Sequence, residues 1–365
     1  MFFNIPVKVF FGKNVIRDNK EEFNSFGRKV LIVTGKHSAL KSGALDDVLS
    51  VLNDFNIKHI IFDEVSENPD VSCVEKGAQV LKDANCSFIV AIGGGSPLDA
   101  AKAISLMYAN NLNKDNIYNV SLHKSALPII AIPTTSGTGS EVTPYSVLSN
   151  NETNIKAGFG SPLIFPKVSF IDPSYTVSVN KTVTKDTAVD ALSHLLEGIY
   201  SVKHADFLKP FIFEGIRLIY NYLIPCLNQP ENYQFRESLS LGSTYGGMVI
   251  AHSSTTLQHS IGYPLTTVYG LSHGLANGVV MKNIMNFYEP YLDNRLNELF
   301  DYLKLSKKDF FKWIDSLDLK FTHKITDDFL NTRIPEVLNS RNMAITPLKV
   351  NEIQLKELYL MLNNT

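Results

Sequence analysis

Four side chains in the second half of the sequence have the types and spacing of metal ligands. Asp190 and His194 stand four residues apart in "VDALSHLLEG", so on a helix they share one face. His259 and His273 are fourteen residues apart. One straight helix would separate them by about 21 Å. If the proline and the glycine between them break that helix, the chain folds back and the two imidazoles can meet.

An Asp–His pair one turn apart is often only a hydrogen bond, so the pair alone leaves two readings open. Its apolar neighbours are Val189, Leu192, Leu195 and Leu196. They indicate a buried helix, and a buried carboxylate needs a partner of opposite charge. One carboxylate and three imidazoles suit Fe(II), Zn(II), Co(II), Mn(II) or Ni(II). His252 is expected to pack behind these residues rather than to join them.

A glycine-rich turn follows a buried strand in "SFIVAIGGGSPLDAAKAI". Three glycines let a phosphate approach the backbone, and the helix that starts near Pro97 offers free N–H groups and a positive dipole end. The alternative is a tight turn without a ligand. The position between strand and helix favours a diphosphate cradle.

A second polar turn, "IPTTSGTGSEV", follows another buried strand. Its hydroxyl residues are Thr134, Thr135, Ser136, Thr138 and Ser140. Such residues often bond only to their own backbone. Two turns of this kind at the ends of two predicted parallel strands, however, favour a dinucleotide lying across the sheet edge.

The elements that must position these residues fall into two classes. Strands predicted at 29–34, 58–65, 87–92 and 127–132 alternate with helical segments, which indicates an α/β domain with a mostly parallel sheet. Beyond residue 178 we find long helical periodicities, at 184–202, 211–227 and 235–261. We predict a dinucleotide-binding domain at 1–177 and an all-α metal-binding and substrate domain at 178–365.

Composition narrows the class of protein. The net charge of −2 gives no basic field for nucleic acid, and no apolar run approaches the length needed to cross a bilayer. The three cysteines form no C-x-x-C pair, so we expect free thiols in a reducing compartment. The start, "MFFNIPVKVFFGKN", is typical of a strand rather than a signal peptide. We therefore expect a cytoplasmic protein without nucleic-acid or membrane partners.

The motifs together resemble one known family. "GGGSPLDAAK", "PTTSGTGSE", "DALSHLLEG" and "QHSIGYPLTTVYGLSHGLAN" follow the order and spacing of iron-containing (group III) alcohol dehydrogenases, a family that is also similar to glycerol dehydrogenases and dehydroquinate synthases. The resemblance implies that family's two-domain architecture, a homodimer, and Asp190, His194, His259 and His273 as ligands, with Fe(II) favoured and Zn(II) possible. It makes "GYPLTTVYG" the turn that brings the last two histidines together.

The same resemblance assigns the cofactor residues. Those implied to contact the diphosphate and the nicotinamide ribose are Gly94, Gly95, Ser96, Thr134, Thr135, Thr138 and Lys156. Asp99 in the first motif either faces the nicotinamide or orients the loop, and a charge in the first turn of a helix is an equally good explanation for it.

Two positions depart from the family pattern. Many members carry a histidine four residues after the third ligand, and Tyr263 stands there instead. A phenol, with an ordinary pKa of about 10, can still donate a proton through water or the cofactor ribose. NAD-preferring members often carry an acid after the first strand of the α/β domain, where this chain has Gly35, followed by Lys36 and Ser38. The missing acid favours NADP(H) over NAD(H).

The resemblance implies hydride transfer between nicotinamide and a small alcohol or aldehyde, with the metal as Lewis acid. One rival is a glycerol-dehydrogenase-like or dehydroquinate-synthase-like enzyme. The latter needs cationic residues to hold a carboxylate and a phosphate, and "SIGYPLTTVYG" has none. The other rival is a non-catalytic metal- or nucleotide-binding protein.

Overall fold

The computed structural model describes residues 3–152, 155–292 and 294–364. The chain divides into two compact units. The first comprises residues 1–180 together with 230–240, and the second comprises residues 181–229 and 241–365. The short segment 230–240, which includes the start of a long helix, thus groups with the N-terminal part of the chain.

The first unit is an α/β domain, as predicted. Its elements are β1 Lys8–Phe11, α1 Val15–Asp18, β2 Lys29–Thr34, α2 Ser38–Lys41, α3 Ala44–Asp54, β3 Lys58–Phe62, α4 Val71–Ala84, β4 Phe88–Gly93, α5 Gly95–Asn110, β5 Ile129–Pro133, β6 Tyr145–Asn150, β7 Ile155–Gly160 and β8 Val168–Ile171. In the described part of the chain, six strands form a sheet in the order β1-β8-β5-β4-β2-β3. All of its neighbouring strands are parallel.

Alternate residues of the central strands pack into two different cores. Leu31 and Val33 of β2 belong to one hydrophobic cluster, whereas Val30 and Ile32 belong to the other. Because successive strand side chains point to opposite faces, the sheet is buried on both sides. This burial explains why the strands read as continuous apolar runs in the sequence.

The antiparallel pair β6–β7 was not predicted from the sequence. Its strands carry polar residues and glycine among the apolar ones, so they lack the continuous run that marks a buried parallel strand. Helix α5 packs against β6. The pair therefore extends the α/β domain beyond its parallel sheet.

The second unit is helical. Its elements are α6 Lys181–Tyr200, α7 Lys209–Asn228, the later part of α8 Tyr233–Ser253, α9 Leu257–Tyr269, α10 His273–Tyr288, α11 Arg295–Leu303, α12 Lys307–Ser316, α13 Asp327–Leu338 and α14 Glu352–Leu360. Within the described ranges this unit contains no strand. No helix of the described residues is both long enough and apolar enough to span a membrane.

Of the proline and the glycine predicted to break the helix between His259 and His273, only the glycine does so. Pro264 does not break the helix, because α9 continues through it to Tyr269. The reversal occurs at Gly270, whose φ of 68° is the left-handed conformation that ends helices. The helical pattern at 235–261 is also two helices, separated at Ser254, which has a φ of 56°.

Helices α6 and α10 cross in very close contact at Gly274. A Cβ atom at this position would lie 1.7 Å from the carbonyl oxygen of Asp186. The side chain of Ser272, just before α10, donates a short hydrogen bond to the Asp186 carboxylate. The absence of a side chain at Gly274 therefore sets the distance between α10, which begins with His273, and α6, which carries Asp190 and His194.

Replacing Gly274 with alanine should push the two helices apart. We expect Gly274→Ala to lower the free energy of unfolding by about 1–3 kcal/mol, the usual cost of overpacking a core. Asn286→Ala, at an exposed position on the same helix, should stay within about 0.5 kcal/mol of the parent protein. Chemical denaturation measures both. Equal stability of the two variants would show that close contact at Gly274 does not hold these helices.

Candidate metal centre and cofactor-binding turns

Three predicted metal ligands converge inside the second unit. Asp190, His259 and His273 each offer one donor atom, and these atoms lie within 4.8 Å of one another. Asp190 Oδ1 is 3.7 Å from Nε2 of His259 and 3.7 Å from Nε2 of His273. The fold-back at Gly270 thus brings together two imidazoles that a single straight helix would hold far apart.

The fourth predicted ligand, His194, lies beside this set. Its Nε2 atom is 3.9 Å from Asp190 Oδ2, and its ring stacks on that of His259 with centroids 4.9 Å apart. His194 and Asp190 share one face of α6, as the four-residue spacing predicted. All four side chains therefore meet at one place in the helical unit.

The donor atoms of three ligands face a common point. The side-chain nitrogen of Asn277 lies 2.9 Å from Asp190 Oδ1, 3.1 Å from His259 Nε2 and 3.4 Å from His273 Nε2. The amide donates to the Asp190 carboxylate, and the Nε2 atoms of both imidazoles face the same small region. A metal ion bound there would take its lone pairs from these atoms.

The electrostatics of Asp190 favour its charged form. Burial raises the pKa of this carboxyl, yet the imidazoles of His194, His273 and His259 and the Asn277 hydrogen bond together hold the pKa below its ordinary value. An ionised carboxylate that is only 3% exposed is a strong attractor for a cation.

A second buried carboxylate supports His259 from behind. Glu197 accepts a short hydrogen bond from Nδ1 of His259 and a bond of 2.7 Å from the backbone N–H of Thr256. Burial raises the pKa of Glu197, but its contact with His259 and the hydrogen bonds from Thr256 hold that pKa below its ordinary value.

Tyr263 lies against two of the predicted ligands. Its ring stacks on His273 at a centroid distance of 5.5 Å with an interplanar angle of 7°, and it meets His259 edge-on at 6.3 Å. The residue that replaces the expected histidine is thus a neighbour of the ligand set. His252, by contrast, contacts the Met248 carbonyl of its own helix through Nδ1.

The residues present fit a divalent metal. Zn–N and Zn–O bonds of about 2.1 Å in a tetrahedral site place donors roughly 3.4 Å apart. The 3.7 Å separations from Asp190 Oδ1 are close to that value. The donor set is oxygen and imidazole nitrogen without thiolate, which suits Fe(II) and Zn(II) alike.

In the first unit, the two polar turns pack against each other. A Cβ atom on Gly94 would lie 3.1 Å from Thr135 Oγ1, and one on Gly95 would lie 2.6 Å from Thr138 Cγ2. The backbone N–H of Thr134 also donates to the carbonyl of Gly93 at 2.8 Å. Strands β4 and β5 are neighbours, so their carboxyl ends bring both turns to one edge of the sheet.

This edge fits a dinucleotide. Chain order changes direction between β2 and β4, where such ligands bind in open α/β sheets. The glycines leave the backbone accessible at the start of α5, with Ser96 in its first turn. The hydroxyl of Thr134 is buried and has no hydrogen-bond partner among the described residues.

Asp99 organises the second turn from within α5. Its carboxylate accepts bonds from Ser140 Oγ at 2.6 Å and from the backbone N–H of Val147 at 2.9 Å. Lys102, one turn later and fully buried, donates to the carbonyl of Ser140 at 2.7 Å and to that of Tyr145 at 2.9 Å. These contacts tie α5 to the end of the second turn and to β6.

Both charged groups of this network have shifted pKa values. Burial raises the pKa of Asp99, although Lys102, Ser140 and the N–H of Val147 oppose the shift. Burial lowers the pKa of Lys102 to about 8, although Asp99 and Glu141 oppose it. A buried ion pair surrounded by hydrogen bonds of this kind fixes local geometry.

The remaining predicted cofactor residues lie at two further points of the first unit. Lys156 on β7 donates from Nζ to Oδ1 of Asn68 at 2.7 Å. Gly35, Lys36 and Ser38 follow β2, and the side chains of Lys36 and Ser38 are exposed. A Cβ atom on Gly35 would lie 3.0 Å from the carbonyl oxygen of Val65, so a larger residue there would be crowded.

Sequence reasoning missed Glu197, Asn277 and Asn68. Glu197 lies three residues after His194, and Asn277 four after His273, so helical spacing placed both on ligand-bearing faces. Many residues without a role in a site have the same three- or four-residue spacing from a ligand, so the spacing alone does not identify these two. Asn68 has a φ of 53° in a loop and carried no motif.

Comparison with known proteins matches both halves of the chain to one family. Residues 6–173 match the model described as iron-containing alcohol dehydrogenase. Residues 184–325 match the C-terminal model of the Fe-containing alcohol dehydrogenase family. The two matches together cover most of the sequence.

Individual relatives agree. NADH-dependent butanol dehydrogenase A of Clostridium acetobutylicum is 32% identical over 78% of this chain and 75% of its own length. The NADPH-dependent butanol dehydrogenase of Clostridium saccharobutylicum is 28% identical over 96% of this chain and 86% of its own.

A solved structure shows the same fold. The iron-containing alcohol dehydrogenase of Thermotoga maritima superposes with a TM-score of 0.93 at 33% identity, covering 100% of this chain and 99% of that one. Family models, relatives and fold therefore confirm the resemblance seen in the motifs. The chain belongs to the iron-containing alcohol dehydrogenases, metal- and NAD(P)-dependent oxidoreductases.

Proposed function

We propose that this enzyme reduces a small aldehyde to its alcohol, reversibly, with NADPH preferred over NADH and a divalent ion, Fe(II) by preference, held by Asp190, His194, His259 and His273. The convergence of Asp190, His259 and His273 donor atoms within 4.8 Å supports it most directly. Relatives whose names specify butanol or 1,3-propanediol support a short-chain substrate.

When bound, the metal supplies Lewis acidity to the substrate oxygen and the nicotinamide supplies hydride. The chain's own residues do the rest. Asp190 provides negative charge, and its imidazole neighbours provide directed lone pairs. We propose His194 as the fourth ligand because its Nε2 atom lies 3.9 Å from Asp190 Oδ2.

We propose that residues 1–177 bind the cofactor and that residues 178–365 bind the metal and the substrate. Gly94, Gly95 and Ser96 present backbone to the diphosphate, whereas Thr134, Thr135, Thr138 and Lys156 contact phosphate and ribose oxygens. Of the three explanations considered for Asp99, which are contact with the nicotinamide, orientation of the loop and a charge in the first turn of the helix, its contacts with Ser140 and Val147 support orientation of the loop. The enzyme is further proposed to be a homodimer, consistent with β1 at an edge of the sheet.

The activity itself is testable with purified, metal-loaded protein. Butanal should cause metal-dependent loss of NADPH absorbance, and removal of the ion should abolish it. His259→Ala should lower kcat/KM by at least about 10²-fold, because a metal ligand and its Lewis acidity are lost. His323→Ala, an exposed histidine of the same unit, should behave like the parent. Loaded protein that binds NADPH yet turns over no aldehyde or alcohol would refute the proposal.

The NADPH preference is proposed to depend on Lys36 at the end of β2. Lys36→Ala should lower kcat/KM for NADPH by roughly 10- to 150-fold and leave NADH within about two-fold, since a charge-assisted bond to a phosphate contributes about 1.5–3 kcal/mol. Lys82→Ala is the control, an exposed lysine just ahead of the amino end of β4. Equal losses with both cofactors would show that Lys36 does not read the 2′-phosphate.

Tyr263 is proposed to pass a proton to or from the substrate oxygen. Tyr263→Phe keeps the ring stacked on His273 and removes only the hydroxyl, so kcat should fall about 10²-fold while metal affinity stays unchanged. Tyr269→Phe on the same helix removes a hydroxyl that bonds the Lys324 carbonyl and should leave kcat near the parent value. An unaltered kcat in Tyr263→Phe would exclude the phenol from proton transfer.

A further inference from the structure

Both carboxylate oxygens of Glu197, a residue outside the proposed set of metal ligands, contact the start of helix α9 or the side chain of His259. Its side chain is fully buried on α6, three residues after His194. One carboxylate oxygen, Oε1, accepts from the backbone N–H of Thr256 at 2.7 Å, from Oγ1 of Thr256 at 2.8 Å and from the backbone N–H of His259 at 3.3 Å. The other oxygen, Oε2, faces Nδ1 of His259.

The first oxygen caps helix α9 from outside. Thr256 is the N-cap residue of α9 and makes no side-chain capping bond. The N–H groups at the start of a helix lack partners within it. Glu197 Oε1 accepts hydrogen bonds from the backbone N–H groups of His259 and Thr256. The carboxylate therefore fixes the backbone from which the His259 side chain projects.

The second oxygen fixes the imidazole itself. A carboxylate only accepts hydrogen bonds, so Nδ1 of His259 must carry the proton. In a neutral ring, Nε2 then has the free lone pair. Nε2 is the atom that lies 3.7 Å from Asp190 Oδ1 and 3.1 Å from the Asn277 nitrogen. One carboxylate thus sets the tautomer, the ring orientation and the helix position of the same ligand.

We infer that Glu197 is the positioning residue of the metal centre, holding His259 as the Nδ1–H tautomer with Nε2 directed at the ion. The inference rests on the metal set proposed above, although not on the substrate or the cofactor preference. Carboxylates behind metal-bound histidines commonly affect metal affinity by about 10–100-fold.

The test is the affinity of the full-length protein for Zn(II), measured by competition with a chelator in the absence of cofactor and substrate. Glu197→Gln keeps the side-chain volume but removes the charge and replaces one of the two acceptor oxygens with an NH2 donor, so Thr256 and His259 Nδ1 cannot both keep their acceptor and Zn(II) should bind about 10–100-fold more weakly. Glu214→Gln is the matched control, a glutamate of the same unit that pairs with Arg217. Parent-like affinity in a folded Glu197→Gln protein would overturn the inference.

A spectroscopic measurement on the parent protein decides the question even if Glu197→Gln does not fold. In Zn(II)-loaded protein labelled with ¹⁵N-histidine, His259 should show a protonated Nδ1 with a downfield, exchange-protected proton. That proton should shift upfield or exchange faster in Glu197→Gln. A His259 protonated at Nε2, or one without a proton at Nδ1, would refute the assignment. Because no aldehyde is involved, failure of the proposed activity would leave this result intact.

Discussion

The helical unit is organised around one buried negative charge. Asp190 lies within α6 and is 3% exposed, so its carboxylate has lost nearly all contact with bulk water. An uncompensated ion in such a place costs several kcal/mol. The amide N–H of Asn277 donates to this carboxylate at 2.9 Å, and the imidazoles of His194, His259 and His273 lie 3.7–3.9 Å from it because α6, α9 and α10 pack together. A divalent ion held by these side chains would balance the charge.

That packing depends on small residues at the helix crossings. Gly274 meets the backbone of α6 at Asp186, and a Cβ on Gly262 of α9 would lie 2.2 Å from Oδ1 of Asn277 on α10. Larger residues at these points would widen the spacing between helices. Donor atoms must lie within a few ångströms of one another to share one ion. The proposed metal site therefore requires small residues where these helices cross.

In the α/β unit, a buried pair of charged residues stabilises a polar turn. The two polar turns of this unit, which we propose bind the cofactor, need a fixed backbone but few side chains, because a diphosphate would have to approach the backbone itself. The buried pair Asp99 and Lys102 supplies the rigidity from below by bonding to Ser140, Val147 and Tyr145. Hydrogen-bonded charges therefore stabilise the second polar turn and its connection to β6.

The family, the α/β and helical halves and the principal candidate residues could be read from the sequence because each depends on local pattern. Apolar runs such as "KVLIVT" mark strands, glycines after a strand mark a phosphate turn, and the Asp190–His194 spacing marks one helix face. The prediction that Pro264 breaks the helix is wrong: proline disfavours a helix interior on average, yet α9 continues through this one. The β6–β7 pair was missed because its residues lack a strong period.

Only the tertiary structure placed Glu197 behind His259 and Asn277 beside Asp190. These partners are 62 and 87 residues apart in the chain, and no local pattern connects them. Ligand types and their spacing are properties of single elements, so the sequence by itself determined them. The tautomer of His259 and the common point faced by the donors depend on how separate helices pack, which the folded chain alone decides.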